Sequence, residues 1–139
     1  MTERITVSAD KENAETLLDW IDEKMAAAGF GSRARREMRL ASEEVFVNIS
    51  EHSVKRGSRA VTVLCGFGVE ELSLTFIDDG GAYNPLERPA PDITLPLEQR
   101  EIGGLGVFLV KKFTDRAEYR RETGLNYLAI FKNKKAGDS

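Results

Sequence analysis

Residues 41–53 read ASEEVFVNISEHS, and the spacing of their apolar members marks this part of the chain as helix. Ala41, Val45 and Ile49 recur every four residues and Met38 extends the row upstream, which is the period of a helix with one buried stripe. The pattern predicts a helix capped by Ser32 and running to Gly57. Glu44 and Asn48 lie four apart, so at about 100° per residue they share a side beside the stripe. That side is either a solvated flank or the edge of a pocket. In a pocket, a carboxylate can take a proton from a hydroxyl or water, and a neutral amide oxygen is a hard ligand for Mg²⁺ that adds no charge beside phosphates.

Upstream, Ile5 and Val7 alternate with Arg4, Thr6 and Ser8, the two-residue period of a half-buried strand. From Asp10, read as an N-cap, Ala14, Leu17, Leu18, Ile21 and Met25 keep helical spacing as far as Gly29, a natural stop. Downstream, Val61, Val63, Cys65 and Phe67, then Leu72, Leu74 and Phe76, alternate around a short turn at 68–71 and predict a hairpin. The four prolines all fall between Asp79 and Ile102, in a stretch with neither period, so a long loop is expected there. Val107, Phe108, Val110 and Phe113 predict a third helix opening at Gly103 and Gly104. Ala117–Arg121 and Tyr127–Lys132 read as two closing strands, and the last residues as a frayed tail. The predicted order is β-α-α-β-β-loop-α-β-β, one domain over residues 1–139.

Two further stretches can carry chemistry. Asp78 ends an apolar strand and is followed by Asp79, Gly80 and Gly81, which is either a solvated glycine turn or a strand end where a carboxylate meets an exocyclic amine and glycine permits close approach. Gly103, Gly104, Leu105 and Gly106 run into the third helix, where free N–H groups and the positive end of the helix dipole can hold phosphate oxygens; the alternative is a hinge. Neither the eight-residue P-loop pattern nor a βαβ glycine turn is present. The formal charge of −3 offers no basic field for a nucleic-acid backbone. One cysteine and one histidine exclude an internal disulfide and a Cys/His metal site. The charged, alternating start of the chain is unlike a signal peptide or membrane span, so a cytoplasmic protein without a membrane anchor is expected.

In the order helix, strand end and loop-to-helix, Asn48, Asp78 and Gly104 resemble the three nucleotide boxes of the GHKL ATPase superfamily. ASEEVFVNISEHS, FIDDGGAYNPLERPAPD, GGLGVFLVKKFTD and the closing LNYLAIFK look most like its anti-sigma-factor serine/threonine kinase branch, of the SpoIIAB and RsbW type. The resemblance implies a Bergerat-type two-layer α/β (α+β) sandwich, with a mixed, mainly antiparallel sheet and three helices on one face. It implies ATP and Mg²⁺, with Asn48 as the metal ligand, Glu44 as the base, Asp78 and Gly80 at the adenine and His52 near the phosphates. Gly104, Leu105 and Gly106 would wrap the phosphates, and residues 82–102 would form a lid; it carries Arg88 and Arg100, either within reach of a γ-phosphate, but their spacing to the glycines departs from the lid arginine of the sporulation kinase. The implied partners are a sigma factor, an anti-sigma antagonist of the STAS type that accepts phosphate on serine, and a second copy through the open sheet face and first strand. A nucleotide-gated binding module without transfer is the alternative. Val47 and the pair Ala82–Tyr83 depart from the branch, which commonly carries Thr and Pro-Phe there. Lys111 and Lys112, far along the third helix, are expected on a solvated face or against phosphate or partner.

Overall fold

The computed structural model describes residues 2–53, 59–87 and 104–134. Strand β1 (Thr2–Ser8) leads through a 3-10 turn (Lys11–Asn13) into helices α1 (Ala14–Ala27) and α2 (Ser32–Asn48), then a π-helical turn (Ile49–Ser53). Strands β2 (Ala60–Phe67) and β3 (Glu71–Asp78), a 3-10 turn (Pro85–Glu87), helix α3 (Gly104–Phe113) and strands β4 (Arg116–Glu122) and β5 (Leu125–Asn133) complete the order. The strands form one sheet in the order β1-β2-β3-β5-β4, and all four described pairings are antiparallel. The expected mixed sheet therefore has no parallel neighbours among the described pairs. Two consecutive helices between β1 and β2 make an odd number of chain reversals, so the two strands pair antiparallel. The single helix between β3 and β4 leaves those two strands parallel in direction, but β5 lies between them.

Local punctuation explains the ends. After α1, Gly29 adopts φ +90, while Gly29 N–H donates to Ala26 O at 3.0 Å and Phe30 N–H donates to Met25 O at 3.0 Å. This left-handed glycine stop satisfies carbonyls the helix leaves open. Thr123 at φ 46 and Gly124 at φ 78 make the two-residue turn between β4 and β5, the type I′ geometry that matches strand twist. Two expected caps are corrected. Asp10 precedes the 3-10 turn rather than α1, and its Oδ2 accepts from Ser8 Oγ at 2.6 Å instead of capping. Gly31 holds the N-cap position of α2, so Ser32 is already inside the helix. The predicted run to Gly57 also changes character early, because α2 gives way to the π turn at Ile49; residues 54–58 lie outside the described part.

The register assembles the core in rows across the sheet. Val63–Phe76–Leu128–Tyr119 and Cys65–Leu74–Ile130–Ala117 are cross-strand neighbours on the inward face. The buried members of these rows pack against Leu17, Ile21 and Met25 of α1, Met38, Ala41, Val45 and Phe46 of α2, and Val110 of α3. Burying this apolar area drives the layer together, at roughly 25 cal/mol per Å². The outward face keeps half-buried Leu64, Ile77, Tyr127, Ala129 and Phe131, with the guanidinium carbons of Arg116 and Arg120 lying 3.8 and 4.3 Å from the ring centroids of Phe131 and Tyr127. Among the described residues, no helix is long and apolar enough to cross a membrane.

Candidate functional site

The inward row next to the apolar core rows is polar. Asp78 on β3 faces Asn126 on β5, and Asn126 faces Arg121 on β4. Asp78 is 5 % exposed and Asn126 3 %. Buried polar groups require partners, and here they supply one another. Asp78 Oδ1 accepts from Gly80 N–H at 3.0 Å and from Asn126 Nδ2 at 3.0 Å. Asn126 Nδ2 also donates to Gly81 O at 3.0 Å. On its other side, Asn126 Oδ1 accepts from Tyr119 Oη, from Arg121 Nη1 at 3.1 Å and, at 3.4 Å, from Tyr83 N–H. Arg121 Nη1 further donates to Gly80 O at 2.6 Å. Among the described residues, the second oxygen of Asp78 takes no hydrogen bond.

Helix α2 brings the other wall. Asn48, its last residue and 5 % exposed, lines the same small cavity as Asp78 and Asn126, together with Val45, Ile49, Tyr83, Pro85, Tyr119 and Leu128. Among the described residues, the Asn48 amide has no hydrogen-bond partner. It sits where the α-helix widens into a π turn, a distortion often found at functional sites. The cavity holds about 20 Å³, room for one water. Tyr83 and Pro85 form part of its lining. The segment carrying them is held by Leu86 N–H donating to Asn84 Oδ1 at 2.9 Å and by Lys111 Nζ donating to Leu86 O at 3.1 Å.

Glu44, one turn before Asn48, is half-buried, and its carboxyl is raised above the usual range by burial first and then by the charges of Glu43 and Glu51. A carboxylate made more basic is a better proton acceptor near neutral pH.

The expected residues are thus distributed as follows. Asn48 and Asp78 share one cavity, and Gly80 donates to the Asp78 carboxylate. Residues 104–106 form the first turn of α3, which packs against α2. His52 stacks on Tyr83, with ring centroids 5.2 Å apart and planes at 25°, and so sits against the segment after β3. Lys111 is not simply solvated, since it fastens the Pro85–Glu87 turn. Arg88, Arg100, Gly103 and most of the expected lid lie outside the described residues. Sequence reasoning missed Asn126, Tyr119 and Arg121. A signal existed: Asn126 and Lys132 are polar residues in the same phase as Leu128 and Ile130. Tyr127, Ala129 and Phe131 make the opposite phase equally apolar, so the inward set could not be chosen without the partner strands.

No group of three or more His, Cys, Asp or Glu side chains that could hold a metal occurs among the described residues. The Asn48 amide oxygen is a suitable single ligand for an ion that arrives already coordinated by phosphates and water, the habit of Mg²⁺.

The serine/threonine-protein kinase BtrW of Bordetella bronchiseptica is 26% identical over 130 residues, covering 93% of this chain and 92% of BtrW. The serine-protein kinase RsbW of Bacillus cereus is 27% identical over 104 residues, which span 72% of this chain and 65% of that RsbW. The RsbW of Bacillus mycoides is 26% identical over the same shares. The family described as "Histidine kinase-like ATPase domain" matches residues 7–132, and with the helix, strand end and sheet order in place, the chain belongs to that family.

Proposed function

We propose that this chain is an ATP-dependent serine/threonine protein kinase of the cytoplasm that phosphorylates a serine on a STAS-type anti-sigma antagonist and sequesters a sigma factor. The observation that carries the reading is the meeting of Asn48 and Asp78 in one cavity with Glu44 one helical turn away. Its support from outside the site is the likeness to BtrW over nearly the whole of both chains.

The free oxygen of Asp78 accepts from the adenine amine. The backbone N–H groups of residues 104–106, at the positive end of α3, hold phosphate oxygens. Asn48 supplies its amide oxygen to Mg²⁺, which when bound neutralises phosphate charge and polarises the transferring phosphorus. Glu44 takes the proton of the acceptor serine as its oxygen bonds to the γ-phosphorus and the bond to ADP breaks. Positioning and charge neutralisation carry most of the acceleration, with the base contributing roughly 10²–10⁴-fold. Phosphoserine adds about −1.5 to −2 charges to the antagonist, enough to weaken its contact here and free this protein for the sigma factor. The open sheet face and β1 form the surface for a second copy.

The test is ATP binding with and without Mg²⁺, followed by transfer of labelled γ-phosphate to a STAS-type antagonist from the same genome. Binding with serine labelling is expected. Binding without transfer would leave only the nucleotide-gated module, and no binding would remove the nucleotide reading altogether.

A further inference from the structure

The carboxylate that faces the cavity is held by a side chain the nucleotide reading does not use. The orientation of the Asn126 amide is fixed on both sides: three donors surround its oxygen, from Tyr119, Arg121 and Tyr83, and two acceptors meet its nitrogen, from Asp78 and Gly81. A flipped amide would set its NH₂ group against the Arg121 and Tyr83 N–H donors and its oxygen against two acceptors, keeping at most one bond, to the Tyr119 hydroxyl, which can also accept. The nitrogen therefore always points a hydrogen at Asp78 Oδ1. With Gly80 N–H on the same oxygen, that atom is saturated on the protein side, and Oδ2, on a residue that lines the cavity, is left without a partner among the described residues.

We propose that Asn126, locked by Tyr119 and Arg121, is a specificity-determining positioning residue that fixes Asp78 as an acceptor and so selects amino-purine over oxo-purine nucleotides. The inference rests on the nucleotide reading above. Adenine presents an amine donor at the purine 6-position, where guanine presents a carbonyl; a carboxylate held in one orientation pairs with the first and repels the second. Because the same amide holds Gly81 O and Tyr83 N–H, the start of the segment that lines the cavity is tied to the group that reads the base.

The experiment compares ATP and GTP affinities, by competition against a fluorescent ATP analogue, for wild type, Asn126→Leu, Asn126→Asp and Tyr119→Phe, with circular dichroism checking each fold. Wild type is expected to prefer ATP, and Asn126→Leu to lose about tenfold or more in ATP affinity and in the ATP/GTP ratio. Tyr119→Phe keeps the ring and removes one of three donors, so a smaller loss in the same direction is expected. Asn126→Asp supplies a readout that a purely structural role does not move. At pH 8 its new carboxylate repels Asp78; near pH 5.5 one proton shared between the two carboxyls replaces the amide hydrogen, with Arg121, Tyr119 and Tyr83 still donating to the far oxygen. ATP affinity of this variant should therefore recover on acidification relative to wild type measured at the same pH. Folded variants with ATP affinity and ATP/GTP ratio within about twofold of wild type, or an Asn126→Asp protein that follows the wild-type pH profile, overturn the inference while leaving the kinase reading intact. Failure of wild type itself to bind ATP removes both.

Discussion

The two ends of the sandwich both bury polar side chains, and they use them differently. At one end of β5, Asn126 joins Asp78, Arg121 and Tyr119. Near the other, Lys132 sits inward opposite Leu72 and donates to Phe113 O at 2.8 Å and to Glu37 Oε1 at 3.1 Å. The Lys132 end is closed on itself. Its ammonium caps the last carbonyl of α3 and pairs with α2, which ties both helices to the sheet. A larger cavity, about 280 Å³, opens there, and its buried ammonium and nearby carboxylates are engaged: Lys132 holds Glu37 and Phe113 O, and Asp115 Oδ2 accepts Asn133 N–H at 2.6 Å. At the Asp78 end the bonding is incomplete by comparison, since among the described residues the Asn48 amide and one oxygen of Asp78 have no partner. Under the proposed function, cavity size alone would point to the other end, and unspent hydrogen-bonding capacity beside a cavity favours the Asp78 end.

Substitutions can break this contrast. The largest expected effect is on transfer: Glu44→Gln should lower the phosphoryl-transfer rate by roughly 10²–10⁴-fold with ATP affinity nearly unchanged, as followed by labelled phosphate on the antagonist. Next, Asp78→Asn keeps an oxygen for Gly80 N–H and Asn126 but turns a donor toward the adenine amine. ATP affinity should fall by about 100-fold while the urea midpoint stays close to wild type; a large stability loss instead would make the Asp78 end as structural as the other.

At the Lys132 end the pattern reverses. Lys132→Met removes the cap on Phe113 and leaves Glu37 only its long contact with exposed Arg33, at 3.9 Å, at a cost of about 2 kcal/mol in urea unfolding, with ATP affinity preserved. Cys65 sharpens the distinction, because its thiol is fully buried and pushed up to about 12, by burial first and then by Glu3, against a lowering from Lys24. Its labelling by a thiol reagent reports opening of the core. It should quicken by about 30-fold in Lys132→Met, the factor that 2 kcal/mol implies, and stay unchanged in Asp78→Asn.

The smallest effect concerns Glu44 and pH. Its folded carboxyl is raised, so the folded state binds more protons than the unfolded one and stability declines as pH climbs through the carboxylate range. Glu44→Gln should therefore melt at a higher temperature than wild type at pH 7 and at nearly the same temperature at pH 4. Equal differences at both pH values would show that Glu44 is not strained by its surroundings.

Local pattern carried much of this protein. The four-residue recurrence around Val45 located α2 and set Glu44 and Asn48 on one side. Alternation located every strand, Gly29 stopped α1, and the order of Asn48, Asp78 and Gly104 pointed to the family, because each of these depends on neighbours a few residues away. The cap of α2, the π turn after Asn48 and the Lys111 contact to Leu86 were not legible, since each reflects packing between segments. The polar row Asp78–Asn126–Arg121 depended on tertiary structure alone. It exists because β5 lies between β3 and β4 in one particular register, and a slip of one residue would turn Asn126 to the open face and leave Asp78 without its partner.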